Sequence, residues 1–487
     1  MITRIKIDGF KSLLNTELFL GPFTCIAGSN AVGKSNFFDA LQFLSRLADD
    51  TILQAAKSIR SDNQRHSSIS DLFYKSGKNK YNTIIFEVDF LVDKTAIDDL
   101  GQNAIATITS LCYKLELKLN SFDENNELVQ IIHEELIPIT QTETRRKLYF
   151  KHSSDWYNSI IHGRRSTKAP FISTDNDKIK LHQDGNKGRT SEFIAENMPR
   201  TLLSTVTAES PTAFLARHEM RNWVMLQFEP SSLRQPNSVF EVKNSKITAN
   251  GNNLPATLYR LNSEKQNIDV YQNITNRLKG LVSDVTEILV DKDDKRDLLT
   301  LHVQFKDGLI LPAQSLSDGS LRFLGLAIIN EDSNRNGLIC MEEPENGINP
   351  KKIPQMVELL ENMAVDPVEE VDDNNPLRQV IINSHSPLVV SSVSDESLYL
   401  AIEKEKYESL FNKKIHYTGF TAIPKTWKTN NNLIESTTIG EIISYLDYNM
   451  SEKAETTCIN EPKNKYSSVT GGKTNVADKT IQLKMDF

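Results

Sequence analysis

Gly28-Ser29-Asn30-Ala31-Val32-Gly33-Lys34-Ser35 has residue types and spacing that carry a definite chemistry. It fits G-x-x-x-x-G-K-[ST]. In that pattern glycines let backbone N–H groups turn inward around phosphate oxygens, at the positive end of the following helix. Lys34 is placed to reach β- and γ-phosphates and Ser35 to ligate Mg²⁺, with Asn36 closing the run. The plainer alternative is a chance glycine turn. Thr24–Ala27 reads as a strand before the loop, and Phe37, Phe38, Leu41, Leu44 and Leu47 follow at helical spacing. That context is what the phosphate mechanism demands.

A second constellation begins at Gly337-Leu-Ile-Cys-Met-Glu342-Glu343-Pro344-Glu345. An apolar strand ending in carboxylates would lie beside the phosphate loop in a parallel sheet, where ligands bind at strand carboxyl ends. Glu342 is placed to hold Mg²⁺ and Glu343 to orient or deprotonate an attacking water. A solvated acidic turn is the alternative. Ser315-Leu316-Ser317-Asp318-Gly319-Ser320 opens a helix about 20 residues earlier, where amides could bind an anion or Ser317 could simply cap. His385 follows the buried run Ile381-Ile-Asn383-Ser384. A lone histidine is usually structural, but at the same sheet edge it would reach a γ-phosphate.

These groups need elements to position them. Residues 2–8 alternate apolar and polar, as a half-buried strand does. From about 81 to 182 short β-like runs dominate (Thr83–Leu91, Cys112–Leu119, Leu128–Ile139, Lys147–Lys151, Lys178–His182), which predicts an antiparallel meander. Residues 191–228 read as mostly helical, 253–289 as two helices, and Leu298–Phe305 as a strand. Between 315 and 403 helix and buried strand alternate, so the expected class is α/β with a parallel core sheet covered on both faces.

Bulk properties narrow the field. With 487 residues the chain can bury a large core in two or three units. A net charge of -8 gives no general push toward nucleic acid. The four cysteines are scattered, which predicts neither a disulfide framework nor a metal pair. With no apolar run near membrane length and no leader-like start, the expected location is the cytoplasm.

In order and wording the motifs resemble the ABC-type ATPase heads of the RecF, SMC and OLD group. The resemblance rests on Ile5-Lys-Ile-Asp-Gly-Phe10-Lys11-Ser12, the phosphate loop, Leu316-Ser-Asp-Gly-Ser320, Met341-Glu-Glu-Pro-Glu-Asn-Gly347 and the histidine strand. It covers about residues 1–75 and 250–403. It implies two heads sandwiching two ATP molecules with Mg²⁺. Ser317 and Gly319 of one subunit would touch the γ-phosphate held by the other's Lys34, His385 would be the switch histidine, and Lys11 and Ser12 would border the nucleotide. Glu342 stands where the family usually has Asp, and Asn349 where it commonly has His. The family's glutamine loop is not placed. Without a long coiled coil, a Cys-x-x-Cys hook or an Asp-x-Asp nuclease cluster, the chain looks like a stand-alone bacterial ATPase such as the Septu defence ATPase. Such ATPases work with a separate nuclease.

The expected division is 1–75 and 251–403 as the two parts of the head, 76–190 as an antiparallel β subdomain, 191–250 as a helical insertion, 404–450 as an extension and 451–487 as a disordered tail. Residues 144–189 hold eleven Lys/Arg, among them Arg145, Arg146, Lys147, Arg164 and Arg165, against four Asp, with Trp156, Tyr157 and Phe171 interleaved. This is either a DNA- or RNA-contacting surface or a solvated face. The final Gln482-Leu483-Lys484-Met485-Asp486-Phe487 resembles the peptide that docks bacterial replication proteins on the sliding clamp. Leu483, Met485 and Phe487 would enter an apolar groove with Gln482 as polar anchor.

Overall fold

A six-stranded sheet sets the motif strands side by side, in the order Val224–Leu226, Gly337–Glu342, Arg378–Ser384, Phe23–Ala27, Leu398–Glu408, Lys413–Ala422. The first five run parallel and the last returns antiparallel. The computed structural model describes residues 1–59, 69–123, 126–163, 169–184, 190–264, 269–438 and 440. Phe23–Ala27 and Arg378–Ser384 are buried at every position. Their continuous apolar character is what a sheet covered on both faces requires. Alternate residues serve opposite faces. Ile26 joins the core that contains helix Lys34–Leu47, while Cys25 and Ala27 join the one built by helices Asp318–Glu331 and Ile353–Met363.

An antiparallel sheet of eight strands lies over the other side of helix Lys34–Leu47. Its order is Ser191–Ile194, Lys178–Leu181, Ile172–Asp175, Asn126–Pro138, Ser110–Asp123, Thr83–Leu91, Ile2–Asp8, Thr16–Phe19. Phe10, Phe43 and Phe86 meet here with ring centroids 5.7–6.1 Å apart. The helix, apolar on much of its circumference, is thereby buried from both sides. A smaller four-stranded sheet, centred on Val285–Asp293 and Leu298–Phe305, packs with helices Leu254–Glu264 and Val270–Leu281. No described helix is long and apolar enough to cross a membrane.

The α/β class with a parallel core and an antiparallel β unit is borne out, and the topology revises several local readings, among them Ser191–Ile194 and Val285–Asp293, strands within stretches read as helical. Val224–Leu226, inside the stretch read as a helical insertion, is an edge strand of the core sheet. Three residues are too few for periodicity to separate strand from helix. The core sheet also runs past 403, because Leu398–Glu408 and Lys413–Ala422 form a hairpin within it. Its outer half alternates charged residues, Glu403-Lys-Glu-Lys, which hid its membership. Lys147–Lys151 is not a strand. Gln141–Lys147 is a helix opened by a capping box in which Thr140 accepts from the Glu143 amide and Glu143 reaches back. The tail beyond 440 lies outside the described residues.

Glu134, on a central strand of the antiparallel sheet, is wholly buried. It accepts from the Leu202 amide (2.7 Å), the Leu203 amide (2.9 Å) and the Tyr113 hydroxyl (3.1 Å). Burial pushes its pKa up from 4.5 to about 7, against those three donors. A raised folded-state pKa contributes stability that is complete below 4.5 and is lost as pH rises to about 7. Glu134→Gln is expected to flatten this part of the profile. Tm measured across that window, compared with wild type, checks it; parallel curves would exclude Glu134 as the source.

Candidate functional site

The strand Phe23–Ala27 feeds the glycine loop, and the loop hands over to helix Lys34–Leu47 at Gly33. Gly33 has φ +97°, and a Cβ there would sit 2.1 Å from Thr418 Oγ1 and 2.6 Å from Ser12 Oγ. A side chain at Gly28 would meet the Ala401 carbonyl oxygen at 2.8 Å. Both glycines are therefore demanded by close neighbours as well as by loop shape. Lys34 Nζ folds over the loop and donates to the carbonyls of Gly28 and Ser29, each at 2.7 Å. Burial pulls its pKa below the ordinary lysine value, while the carboxylates of Glu343, Glu345 and Glu342 oppose that.

Parallel register brings the acidic strand end and the histidine strand to the same edge. Glu342 pairs with Asn383, and Asn383 with Ile26. Asn383 Nδ2 donates to Glu342 Oε1 at 3.0 Å. Glu343 has φ +46°, a left-handed conformation costing about 1–3 kcal/mol. Its amide donates to the Asn383 carbonyl at 3.0 Å and to Asn383 Oδ1 at 3.2 Å, which holds the turn. The turn aims the Glu343 carboxylate outward, with Oε1 2.8 Å from His385 Nδ1 and Oε2 accepting from Asn346 Nδ2 at 2.8 Å. Beneath it the buried Glu345 accepts from Ser384 Oγ through Oε1, while its Oε2 has no hydrogen-bond partner. Burial raises the Glu345 pKa.

A cleft of about 720 Å³ joins these parts, with Lys34, Ser35, Gln227, Arg322, Glu342 and Glu343 among its walls. That volume suits a small-molecule site, for which about 300–1,000 Å³ is usual. Asn30, Ala31, Gly33 and Asn36 line it too, and Ser29 and Val32 border a neighbouring cavity on the same loop. The Ser35 hydroxyl and the Glu342 carboxylate offer hard oxygen donors, which suits Mg²⁺. Ser317 and Gly319 do not line this chain's own cleft. Ser317 caps helix Asp318–Glu331, accepting from the Ser320 amide at 3.2 Å. Gly319 is packed so closely that a Cβ would stand 2.3 Å from the Gly347 carbonyl oxygen.

Other expected site residues lie elsewhere. Lys11 Nζ pairs with Asp39 Oδ2, a buried carboxylate of the helix, at 2.7 Å, and Lys11 is absent from the cleft wall. Ser12 does border the loop, 2.6 Å from Thr418 Oγ1 and accepting from Asn36 Nδ2 at 2.7 Å. In the basic stretch, Lys147 pairs with the buried Asp89 at 2.7 Å and Arg145 lies 5.3 Å over the Tyr157 ring. Trp156, Tyr157 and Phe171 are core residues and present no face for base stacking. Arg146 remains on the exposed side of its helix. Arg164 and Arg165, and the clamp-like Gln482, Leu483, Met485 and Phe487, lie outside the described residues.

Four cleft groups carry no role in the sequence alone. Gln227 follows the unrecognised edge strand, so its position could not be read without that strand. Arg322 stands one turn into the Ser317 helix, donates to the Asn346 carbonyl at 3.0 Å and keeps a buried Nε without a partner. Asn346 and Asn383 sat inside quoted motifs without roles. Thr418 is a fifth missed residue, beside the loop, donating to the Val32 carbonyl at 2.9 Å.

Comparison with known proteins gives three findings. Similar solved structures include an SMC head bound to the C-winged helix domain of ScpA (14% identity, 87% of this chain and 99% of that one, TM-score 0.46). They also include a Pyrococcus furiosus Smc head domain with an extended coiled coil bound to the C-terminal domain of ScpA (11% identity, 89% and 99%, TM-score 0.42) and the Thermotoga maritima SMC head domain (11%, 87% and 98%, TM-score 0.36). No curated protein matches the chain. The family described as "AAA domain, putative AbiEii toxin, Type IV TA system" matches residues 23–391, most of the chain and every motif strand of the cleft, and the chain belongs to that AAA-domain family, in keeping with the ABC-type ATPase head of the RecF/SMC-like group expected from its motifs.

Proposed function

We propose that the protein binds Mg²⁺-ATP and hydrolyses it as a molecular switch, two heads closing on two nucleotides. The observation that carries this is the Glu343 carboxylate, held between His385 and Asn346 in the same cleft that Lys34 and Ser35 of the glycine loop line. The loop amides and Lys34 grip the β- and γ-phosphates. When bound, Mg²⁺ neutralises charge between those phosphates, and Ser35 with Glu342 would hold it. Glu343 takes the proton of the attacking water, and His385, on the same carboxylate, fixes its direction and senses the γ-phosphate. Gln227, in the cleft wall just after its strand, is the residue that would serve as the family's glutamine.

Ser317 and Gly319 complete the site from a second copy, a reading that rests on the family resemblance of the 316–320 turn that opens helix Asp318–Glu331. The family description names a toxin–antitoxin system, and we place the switch in bacterial anti-phage defence or DNA maintenance on the resemblance of its motifs. There the switch acts on nucleic acid or on a separate effector such as a nuclease.

Phosphate release from Mg²⁺-ATP by the full chain tests the core of this proposal. Wild type is expected to turn over and Lys34→Ala to lose turnover, because the loop alone cannot neutralise the transferring phosphoryl group. Equal release by both proteins would overturn it.

A further inference from the structure

A second cavity of about 830 Å³ opens on the far flank of the glycine loop. The glutamate and histidine strands lie to one side of Phe23–Ala27, and the hairpin Leu398–Glu408/Lys413–Ala422 lies to the other. The cavity is bounded by the loop at Ser29, Asn30 and Val32 and by the hairpin at Ala401, Glu403 and His416. The two cavities share Asn30, Ala31, Gly33 and Asn36, so one extended ligand could occupy both across the loop.

The hairpin is fastened to the loop. Thr418 Oγ1 donates to the Val32 carbonyl at 2.9 Å and lies 2.6 Å from Ser12 Oγ, and the Thr418 amide donates to the Ser12 carbonyl at 2.9 Å. Thr418 also stands opposite Glu403 in the hairpin register. On the same hairpin face His416 pairs with Glu403 (Nδ1 to Oε1, 3.2 Å) and Glu405 (Nε2 to Oε1, 3.6 Å). Glu403 and His416 remain more than half exposed, at 67% and 57% of their side chains, and so are open to a ligand. The family match ends at residue 391, so it assigns nothing to this hairpin.

Resting on the ATP reading, we infer that the hairpin cavity receives the nucleoside half of the nucleotide and that Glu403 accepts a hydrogen bond from an exocyclic amino group of a purine base. A triphosphate whose free end faces Glu343 must send its sugar and base away from that side, and the hairpin cavity is what lies there. Its volume suits a nucleoside, being within the roughly 300–1,000 Å³ of small-molecule sites. A carboxylate accepts from an amino group through a charge-assisted hydrogen bond. The Thr418 brace makes the hairpin a positioning element for the loop as well.

Calorimetric titration of the full chain with ATP, GTP and inorganic tripolyphosphate separates base from phosphate recognition. Glu403→Ala, a change at an exposed strand position, is expected to weaken the preferred purine nucleotide about tenfold, the size of one lost charge-assisted hydrogen bond. Tripolyphosphate binding should be unchanged. Thr418→Val, which cuts the brace, is expected to weaken nucleotide and tripolyphosphate alike. Whichever of ATP and GTP binds more tightly shows which purine amino group is read. If Glu403→Ala leaves nucleotide affinity intact, or lowers tripolyphosphate binding equally, the inference is overturned. Wild-type protein that binds neither nucleotide nor tripolyphosphate would instead remove the ATP reading, and this inference with it.

Discussion

Glu343→Gln is expected to abolish steady-state ATP hydrolysis while leaving ATP binding intact, with turnover reduced on the order of 10²–10⁴-fold, the usual contribution of a general base. The substitution keeps the side chain's length and one carbonyl oxygen, so the Asn346 amide retains an acceptor. It removes the charge and the basicity. Because Glu343 already occupies a left-handed backbone position held by Asn383, the new amide stays at the same place in the cleft. A dimer closed around ATP would then persist, since hydrolysis is what reopens it. Two measurements decide the matter: single-turnover phosphate release, and molecular mass in solution with ATP present. Release near the wild-type rate would remove Glu343 from its role as base. Slow release without an ATP-dependent rise in mass would leave the base assignment standing and remove the sandwich dimer.

How much of this was legible beforehand follows from where the signal resides. The phosphate loop could be read because its chemistry constrains contiguous residues, and glycines at fixed offsets leave a mark that periodicity analysis does not blur. The glutamate and histidine strands were readable because each is a continuous apolar run that ends abruptly in polar groups, the pattern of a strand buried on both faces. Gln227 was not, because its strand is three residues long and supplies no period. Thr418 and Glu403 were not, because a half-exposed hairpin strand alternates charge and reads as solvated surface. The basic stretch stayed open between a nucleic-acid surface and a solvated face, and one dimension did not show that Trp156 and Phe171 are almost wholly buried and Lys147 is held by Asp89. Local composition cannot report which face a side chain takes when the partner carboxylate is 58 residues away.

Gly319→Ala sets two effects of opposite sign against each other. Inside a helix, replacing glycine with alanine ordinarily stabilises by about 0.5–1 kcal/mol through backbone entropy. At Gly319 the added methyl would stand 2.3 Å from the Gly347 carbonyl oxygen and 3.0 Å from Ile348 Cδ1. Backbone on that side cannot yield cheaply, and overpacking of this kind costs roughly 1–3 kcal/mol. Steric cost outweighs propensity, so Tm should fall. The displaced loop is also the one that carries Asn346, whose side chain holds Glu343 Oε2 and whose carbonyl accepts from Arg322. A shift there misaims the base, and misplacement of about 1 Å costs on the order of 10²-fold in rate. ATP affinity of a single head should hold, because Gly319 is absent from the wall of its own cleft and Lys34 is untouched, whereas ATP-dependent closure of two heads, in which Gly319 is proposed to complete the second copy's site, should weaken. Calorimetric ATP binding, phosphate release and thermal melting together resolve the terms. A variant that melts higher than wild type and turns over normally would show that the turn has room for a methyl group, and that neither the contact with Gly347 nor its link to Glu343 governs the reaction.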